Sequence, residues 1–178
     1  PSPSAMRRPA AAYWDILPDA SNLPWIVYRL EQEAPERMVA WRNHVCTALQ
    51  DVVKITTKAR EEDGARYIEL THSSGLALPA WLLSDGTLRF LALTILPYMK
   101  LPPSIIIIEN IEQNLHPHMI EPLLQSLTSI YDSQVLCTSY SPVVQALADT
   151  KSILCFSVKS RFGVSIARCS EQPWMAIV

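Results

Sequence analysis

Glycine is scarce in this 178-residue chain: Gly64, Gly75, Gly86 and Gly163 are all there is, against 14 prolines. A phosphate-binding loop of the form G-x-x-x-x-G-K-[ST] needs two glycines five apart so that main-chain N–H groups can wrap a phosphate, and no pair has that spacing. The same count excludes a G-x-G-x-x-G dinucleotide fingerprint and a G-x-S-x-G nucleophile elbow. Charge of one sign is lacking too. Fifteen basic and 17 acidic residues leave a net charge of −2, which supplies no whole-chain drive toward nucleic acid or anionic membrane. Cys46, Cys137, Cys155 and Cys169 form no C-x-x-C pair and sit in apolar surroundings, as reduced core thiols do, which points to the cytoplasm. No apolar run approaches the roughly 20 residues needed to cross a bilayer, and the start lacks a basic-plus-apolar signal segment.

What is present is a chain of about one domain's length, 49% hydrophobic and 18% charged, apolar enough to bury a core. Residues 1–21 hold Pro1, Pro3, Pro9 and Pro18 and read as an irregular lead-in. Leu23, Ile26, Val27 and Leu30 then fall at helical spacing behind Ser21 or Asn22 as cap. Pro35, at an allowed first-turn position, opens a second helix to about residue 50, with Met38, Trp41, Val45 and Leu49 on one face. Two β-rich stretches, 52–57 and 67–71, flank the charged turn 60–64 as in a hairpin. Residues 22–82 are therefore expected to form a helical insert and a hairpin.

From residue 83 to 178 strand and helix alternate. Residues 84–87 cap an apolar helix that Pro97 and Pro102-Pro103 end, and four isoleucines at 105–108 read as a strand covered on both faces of a parallel sheet. An amphipathic helix (117–131), a short strand (134–138), a helix (142–148) and two strands (152–158 and 164–168) around the turn 160–163 follow. The expected fold is α/β with a mostly parallel sheet.

Three segments place polar groups at the ends of apolar elements. Ser84, with Gly86 behind it, puts a hydroxyl and free N–H groups at a positive helix terminus, which suits a phosphate oxygen. Glu109 leaves a buried strand at its carboxyl end, where α/β sheets bind ligands and a carboxylate can hold Mg²⁺ directly or through water. Thr138 to Ser141 ends a neighbouring strand at the same rim.

In this order, the segments Leu83-Ser84-Asp85-Gly86-Thr87-Leu88-Arg89, Ile108-Glu109-Asn110-Ile111-Glu112 through Leu115-His116-Pro117, and Cys137-Thr138-Ser139-Tyr140-Ser141-Pro142 resemble the carboxyl-terminal part of an ABC-type ATPase. The group is the AAA-21 and overcoming-lysogenization-defect one, related to structural-maintenance-of-chromosomes (SMC) and RecF-type ATPases. Asp19-Ala20-Ser21-Asn22-Leu23 is similar to the family's D-G-S-N-L before its helical insert. The resemblance implies a P-loop NTPase-like lobe without the Walker A strand and loop, with ATP and Mg²⁺ as cofactors. By the same resemblance, Ser84, Asp85, Gly86 and Thr87 form the signature that reaches the γ-phosphate of ATP on an opposing subunit. Glu109 is the Walker B carboxylate and metal ligand, and Leu115, His116 and Pro117 lie at a dimer interface. Tyr140 takes the switch position, where the family usually has His.

The departures concern catalysis. Asn110 stands where a second, water-activating Glu is common, and an amide takes no proton. Glu112 is a substitute base by analogy with relatives that carry Glu-Asn-x-Glu. Tyr140 can hydrogen-bond a phosphate in place of that histidine. The resemblance implies a homodimer or an ATPase partner chain, an effector protein or DNA as target, no membrane, and a setting in DNA repair or anti-phage defence. The competing expectation is a catalytically degenerate interaction module. Two weaker readings are a metal pair at His116-x-His118, which lacks a clear third ligand, and a hydrolase using Ser139 or Ser141 with a histidine. A sheet without its first strand has an exposed edge, which favours a fragment or partner-dependent subunit.

Overall fold

Proline sits in the first turn of most helices, where its missing N–H is one no helix would use and its fixed φ suits the helix. In the computed structural model, which describes residues 1–160 and 163–168, this holds for α1 (Pro3–Met6), α2 (Leu23–Glu33), α3 (Pro35–Ala48), α5 (Pro117–Thr128) and α6 (Pro142–Leu147). The exception is α4 (Asp85–Thr94), which starts on the hydroxyl of Ser84.

The lead-in is less irregular than its prolines suggest. Besides α1, the Ser2 N–H donates to Asp19 O, Ala10 exchanges main-chain bonds with Arg66, and Met6 is buried. Asn22 ties the segment to α2: its Nδ2 donates to the carbonyls of Tyr13 and Asp15 and its Oδ1 accepts from the Leu17 N–H. Ala20, where the family pattern has Gly, takes a φ of 58°.

The strands β1 (Val52–Ala59) and β2 (Arg66–His72) form the expected hairpin, and β3 (Ala77–Pro79) adds a third antiparallel strand that periodicity did not mark. The strands β4 (Ile105–Ile108) and β5 (Gln134–Cys137) pair in parallel, from Ile105 opposite Gln134 to Ile108 opposite Cys137. The chain then runs through α6 into β6 (Leu154–Ser160), which folds back on β7 (Gly163–Arg168). Of the expected turn 160–163, Arg161 and Phe162 lie outside the described residues, as do Cys169 and Trp174.

Two expectations are corrected here. The mostly parallel sheet is, among the described residues, one parallel pair beside two antiparallel sheets, because β6 turns back as a hairpin instead of extending β5. Nor are the four isoleucines covered on both faces. Successive side chains of a strand alternate, so Ile108 is buried and Ile106 packs against the core, while Ile105 and Ile107 are 64% and 70% exposed. Leu136 of β5 is exposed as well, so the β4–β5 pair carries one bare apolar face. At the end of β5, Cys137 is exposed rather than a core thiol.

A single cluster of buried residues runs from Met6 to Val144, joining the lead-in, α2, α3, the hairpin and the β4–β5 region. At its centre Trp41 of α3 is fully buried and donates its indole N–H to Thr94 Oγ1 of α4 at 3.1 Å. Thr94 Oγ1 donates in turn to Phe90 O, and Ser126 of α5 donates to Thr94 O. Three helices are thereby fixed by polar contacts inside an apolar core, where each bond left unmade would cost about 1–3 kcal/mol.

Candidate functional site at the carboxyl ends of β4 and β5

Ser84 is extended (φ −66°, ψ 156°) and its Oγ accepts the Thr87 N–H at 3.0 Å, with the Thr87 hydroxyl 2.8 Å away. The residue thus acts as a helix cap while remaining on the surface. Asp85 is ion-paired with Arg7, which also donates to Leu83 O, so the lead-in braces the start of α4. Gly86 is buried against the loop after β4: a Cβ built there would lie 2.2 Å from the carbonyl oxygen of Asn114.

That loop is the centre of the site. Glu109 and Asn110 are exposed at its start, and Asn110 adopts a φ of 47°, a left-handed conformation that Asn tolerates better than other side chains. Asn114 repeats this at 63°. The Asn110 N–H donates to Thr138 Oγ1 at 2.9 Å and the Ile111 N–H to Thr138 O at 3.0 Å, which fastens the loop to the end of β5. Arg89 of α4, 5% exposed, donates from one nitrogen to both Glu109 O and Asn110 O at 2.8 and 2.9 Å. Burial lowers the pKa of its guanidinium, an effect that the Glu112 carboxylate opposes.

Glu112 reaches across to the third segment: its Oε1 accepts the Tyr140 N–H at 2.9 Å. Burial pushes this carboxyl up, but hydrogen bonds from its own main chain, from Tyr140, from the Ser139 hydroxyl and from Ser141 hold it below its ordinary value. Tyr140 itself is 87% exposed, its ring directed away from that contact. Glu112 Oε2 and Arg89 Nε are both buried without a hydrogen-bond partner among the described residues.

Further along, Leu115 is half-buried, and His116 caps α5 and meets His118, the two Nδ1 atoms 2.5 Å apart. His118 Nε2 lies 3.0 Å from Ala48 O, so it must carry a proton there, and the pair fastens this loop to the end of α3. Among the described residues no group of three or more His, Cys, Asp or Glu side chains is placed to hold a metal ion, so the histidine pair stands without a third ligand of these types. Glu109 alone suits Mg²⁺ only as one oxygen among phosphate and water ligands, which is how that ion is commonly held. Ser139 accepts from the Ser141 N–H, and Ser141 caps α6. The two serines serve local structure, which leaves the hydrolase reading without support. A cleft of about 460 Å³ lined by Asp51, His72, His118 and Met119 lies beside α3, away from Ser84, Glu109 and Tyr140.

Glu109, Asn110, Glu112 and Tyr140, singled out from the sequence, are drawn together by hydrogen bonds between the loops, and Gly86 packs against the same loop, whereas Ser84 bonds only within its own helix cap. Arg89 and Thr138 join them with roles that sequence did not assign. The available signal for Arg89 was an arginine inside the otherwise apolar run 88–93.

A family model described as "AAA domain, putative AbiEii toxin, Type IV TA system" (AAA_21) matches residues 9–146. Among solved structures, an Smc head bound to the C-terminal winged-helix domain of ScpA is 15% identical, with a TM-score of 0.60 over 88% of this chain and 48% of that one. The Smc head of Pyrococcus furiosus with an extended coiled coil, bound to the ScpA C-terminal domain, is 17% identical with a TM-score of 0.52 over 86% of this chain and 42% of that one. The chain thus spans about half the length of these heads or less, and at such identities the likeness is one of fold. No curated protein matches the sequence.

Proposed function

Because the chain belongs to the AAA_21 family, an ATPase-type nucleotide-binding module, we propose that residues 83–141 are the signature, metal and switch portion of a composite ATP site. A phosphate loop from outside these 178 residues completes the site, and a dimer closes over it. The observation that carries the reading is the mutual bonding of the three loops: Arg89 to Glu109 and Asn110, Thr138 to Asn110, and Glu112 to Tyr140. Polar segments that merely ended secondary elements would have no reason to be tied together at one rim. The bare face of Ile105, Ile107 and Leu136 supports the second half of the proposal, since parallel strands are normally covered on both sides.

In this arrangement the free N–H groups at the start of α4, with the Ser84 and Thr87 hydroxyls, meet the γ-phosphate of a nucleotide held by the opposing subunit. Glu109 is the residue that would hold Mg²⁺, which when bound would supply neutralising charge for the phosphate oxygens. Leu115, His116 and Pro117 face the partner subunit. Glu112, held on the Tyr140 N–H with its other oxygen buried, is the only carboxylate of the loop besides Glu109 and would have to be released from that contact to act as the substitute base that the family resemblance implies. The effector or DNA on which closure acts lies in repair or phage defence, as the family resemblance implies, and the site operates in the cytoplasm.

A second reading is a degenerate module that retains the closing surface without hydrolysis. The left-handed φ of Asn110 favours it, because a Glu at that position would be strained.

The test is nucleotide-dependent association of the natively produced protein, measured by light scattering with ATP and Mg²⁺. Ser84→Arg and Glu109→Gln should each weaken the association at least tenfold. An ATP response that both substitutions leave intact would remove the mechanism, and association indifferent to ATP would favour the degenerate module.

A further inference from the structure

The signature helix and the metal loop touch at two places, and both contacts are made to main-chain atoms. Gly86 lies against the carbonyl of Asn114, so close that no side chain fits between. One turn along the same helix, the Arg89 guanidinium holds the carbonyls of Glu109 and Asn110. A guanidinium taken out of water is costly unless well paired, and an apolar side chain would suit the surrounding run of Leu88, Phe90, Leu91 and Leu93 better. The arginine stands instead where it grips the backbone on which Glu109 is mounted. The grip continues: Asn110 and Ile111 are fixed on Thr138, and Glu112 on the Tyr140 N–H.

We infer that Arg89 is a positioning residue that couples the signature helix to the metal and switch loops of its own subunit, so that displacement of α4 by a nucleotide moves Glu109 and Tyr140 together. The inference rests on the reading of the site given above. If the signature of one subunit meets the nucleotide of the other, Arg89 is the link by which occupancy of the partner's site is communicated to this subunit's own metal carboxylate. The link suits this role because one nitrogen is shared by two consecutive carbonyls, so that Glu109 and Asn110 follow it together. The buried Arg89 Nε and Glu112 Oε2 belong to oppositely charged groups and remain available to pair when the loops shift.

The test uses the natively produced protein in two measurements. Without nucleotide, hydrogen exchange reads the amides that the link protects: Arg89→Met, which keeps an unbranched side chain but loses both donors, should speed exchange at Ile111 and Tyr140 at least tenfold and leave Leu123 and Leu127 of α5 unchanged. With ATP and Mg²⁺, the same variant should raise the nucleotide concentration for half-maximal association at least fivefold. Thr138→Val, which releases the Asn110 N–H from the other side, should reproduce both effects, and Thr138→Ser should restore wild-type behaviour. Unchanged exchange at Ile111 and Tyr140, or exchange raised throughout the chain, overturns the link. Local exchange changes with an unaltered ATP midpoint overturn the coupling while the functional reading stands. A wild type that does not respond to ATP overturns that reading, and the coupling with it.

Discussion

Gly86→Ala tests whether the signature glycine is required by the chain's own packing, apart from any phosphate. The added methyl carbon would sit 2.2 Å from Asn114 O and 3.3 Å from Asn114 C. Non-bonded contacts of this kind do not occur below 3.0 Å, and the obstacle is backbone rather than the end of a flexible side chain. Relief requires the loop to retreat by roughly 1 Å, against the bonds from Arg89 and Thr138 that hold its first residues. Forcing an extra carbon into a packed site costs about 1–3 kcal/mol. Alanine recovers up to about 1 kcal/mol of that through its better helix propensity. Because the obstacle is backbone at 2.2 Å, the upper part of that range, about 2–3 kcal/mol, applies, and the expected net loss is about 1–2 kcal/mol, or a fall in Tm of about 2–8 °C for a chain of this size. Thermal and urea denaturation of the nucleotide-free protein measure it directly. A Gly86→Ala variant as stable as the wild type, or more so, would refute the close approach and with it the helix–loop contact.

Thr94→Val should lower stability by about 1–3 kcal/mol in urea denaturation, because it leaves the buried Trp41 indole N–H without an acceptor, while Thr94→Ser should recover most of the loss. At the left-handed position, Asn110→Glu should be less stable by about 1 kcal/mol and Asn110→Gly should stay within about 0.5 kcal/mol of wild type; equal stability of the two variants would contradict the φ of 47°. Glu112 has a folded pKa below its ordinary 4.5, so its contribution is fully present above that value and lost as pH falls through the folded pKa. Glu112→Gln should therefore flatten the acid limb of the stability profile below about pH 4.5, and an unchanged limb would mean that the carboxylate is not held as described.

The helices were legible because their ends carry chemistry that acts locally. Pro35 marks a first turn and Ser84 is a cap that accepts the Thr87 N–H, both as the sequence suggests, and Pro117, Pro142 and the cap Ser141 repeat the same local chemistry. The three loops could be assigned to one rim because two of them end short apolar strands and the third starts a capped helix. The one-sided exposure of β4 was not legible: with isoleucine at all four positions, the inward and outward residues are chemically identical and alternation leaves no trace. Nor did sequence reveal that α1 and Asn22 would pack the lead-in, since its tie is three hydrogen bonds from one amide side chain rather than an apolar pattern. Asn110 was read as the loss of a catalytic carboxylate, and its backbone conformation supplies a structural reason for the residue that no spacing rule contains. Arg89 was visible only as a charge in the wrong place.

The bond between Trp41 and Thr94 also equips the protein with an internal reporter. Trp14 and Trp81 are 47% and 46% exposed and open to collisional quenchers, whereas Trp41 is sealed at 0% with its indole N–H on the last residue of α4. Iodide should silence the outer fluorophores and leave Trp41 emitting from the interior. Any sliding of α4 would then appear as a change in the indole proton resonance of Trp41, with no label added to the chain.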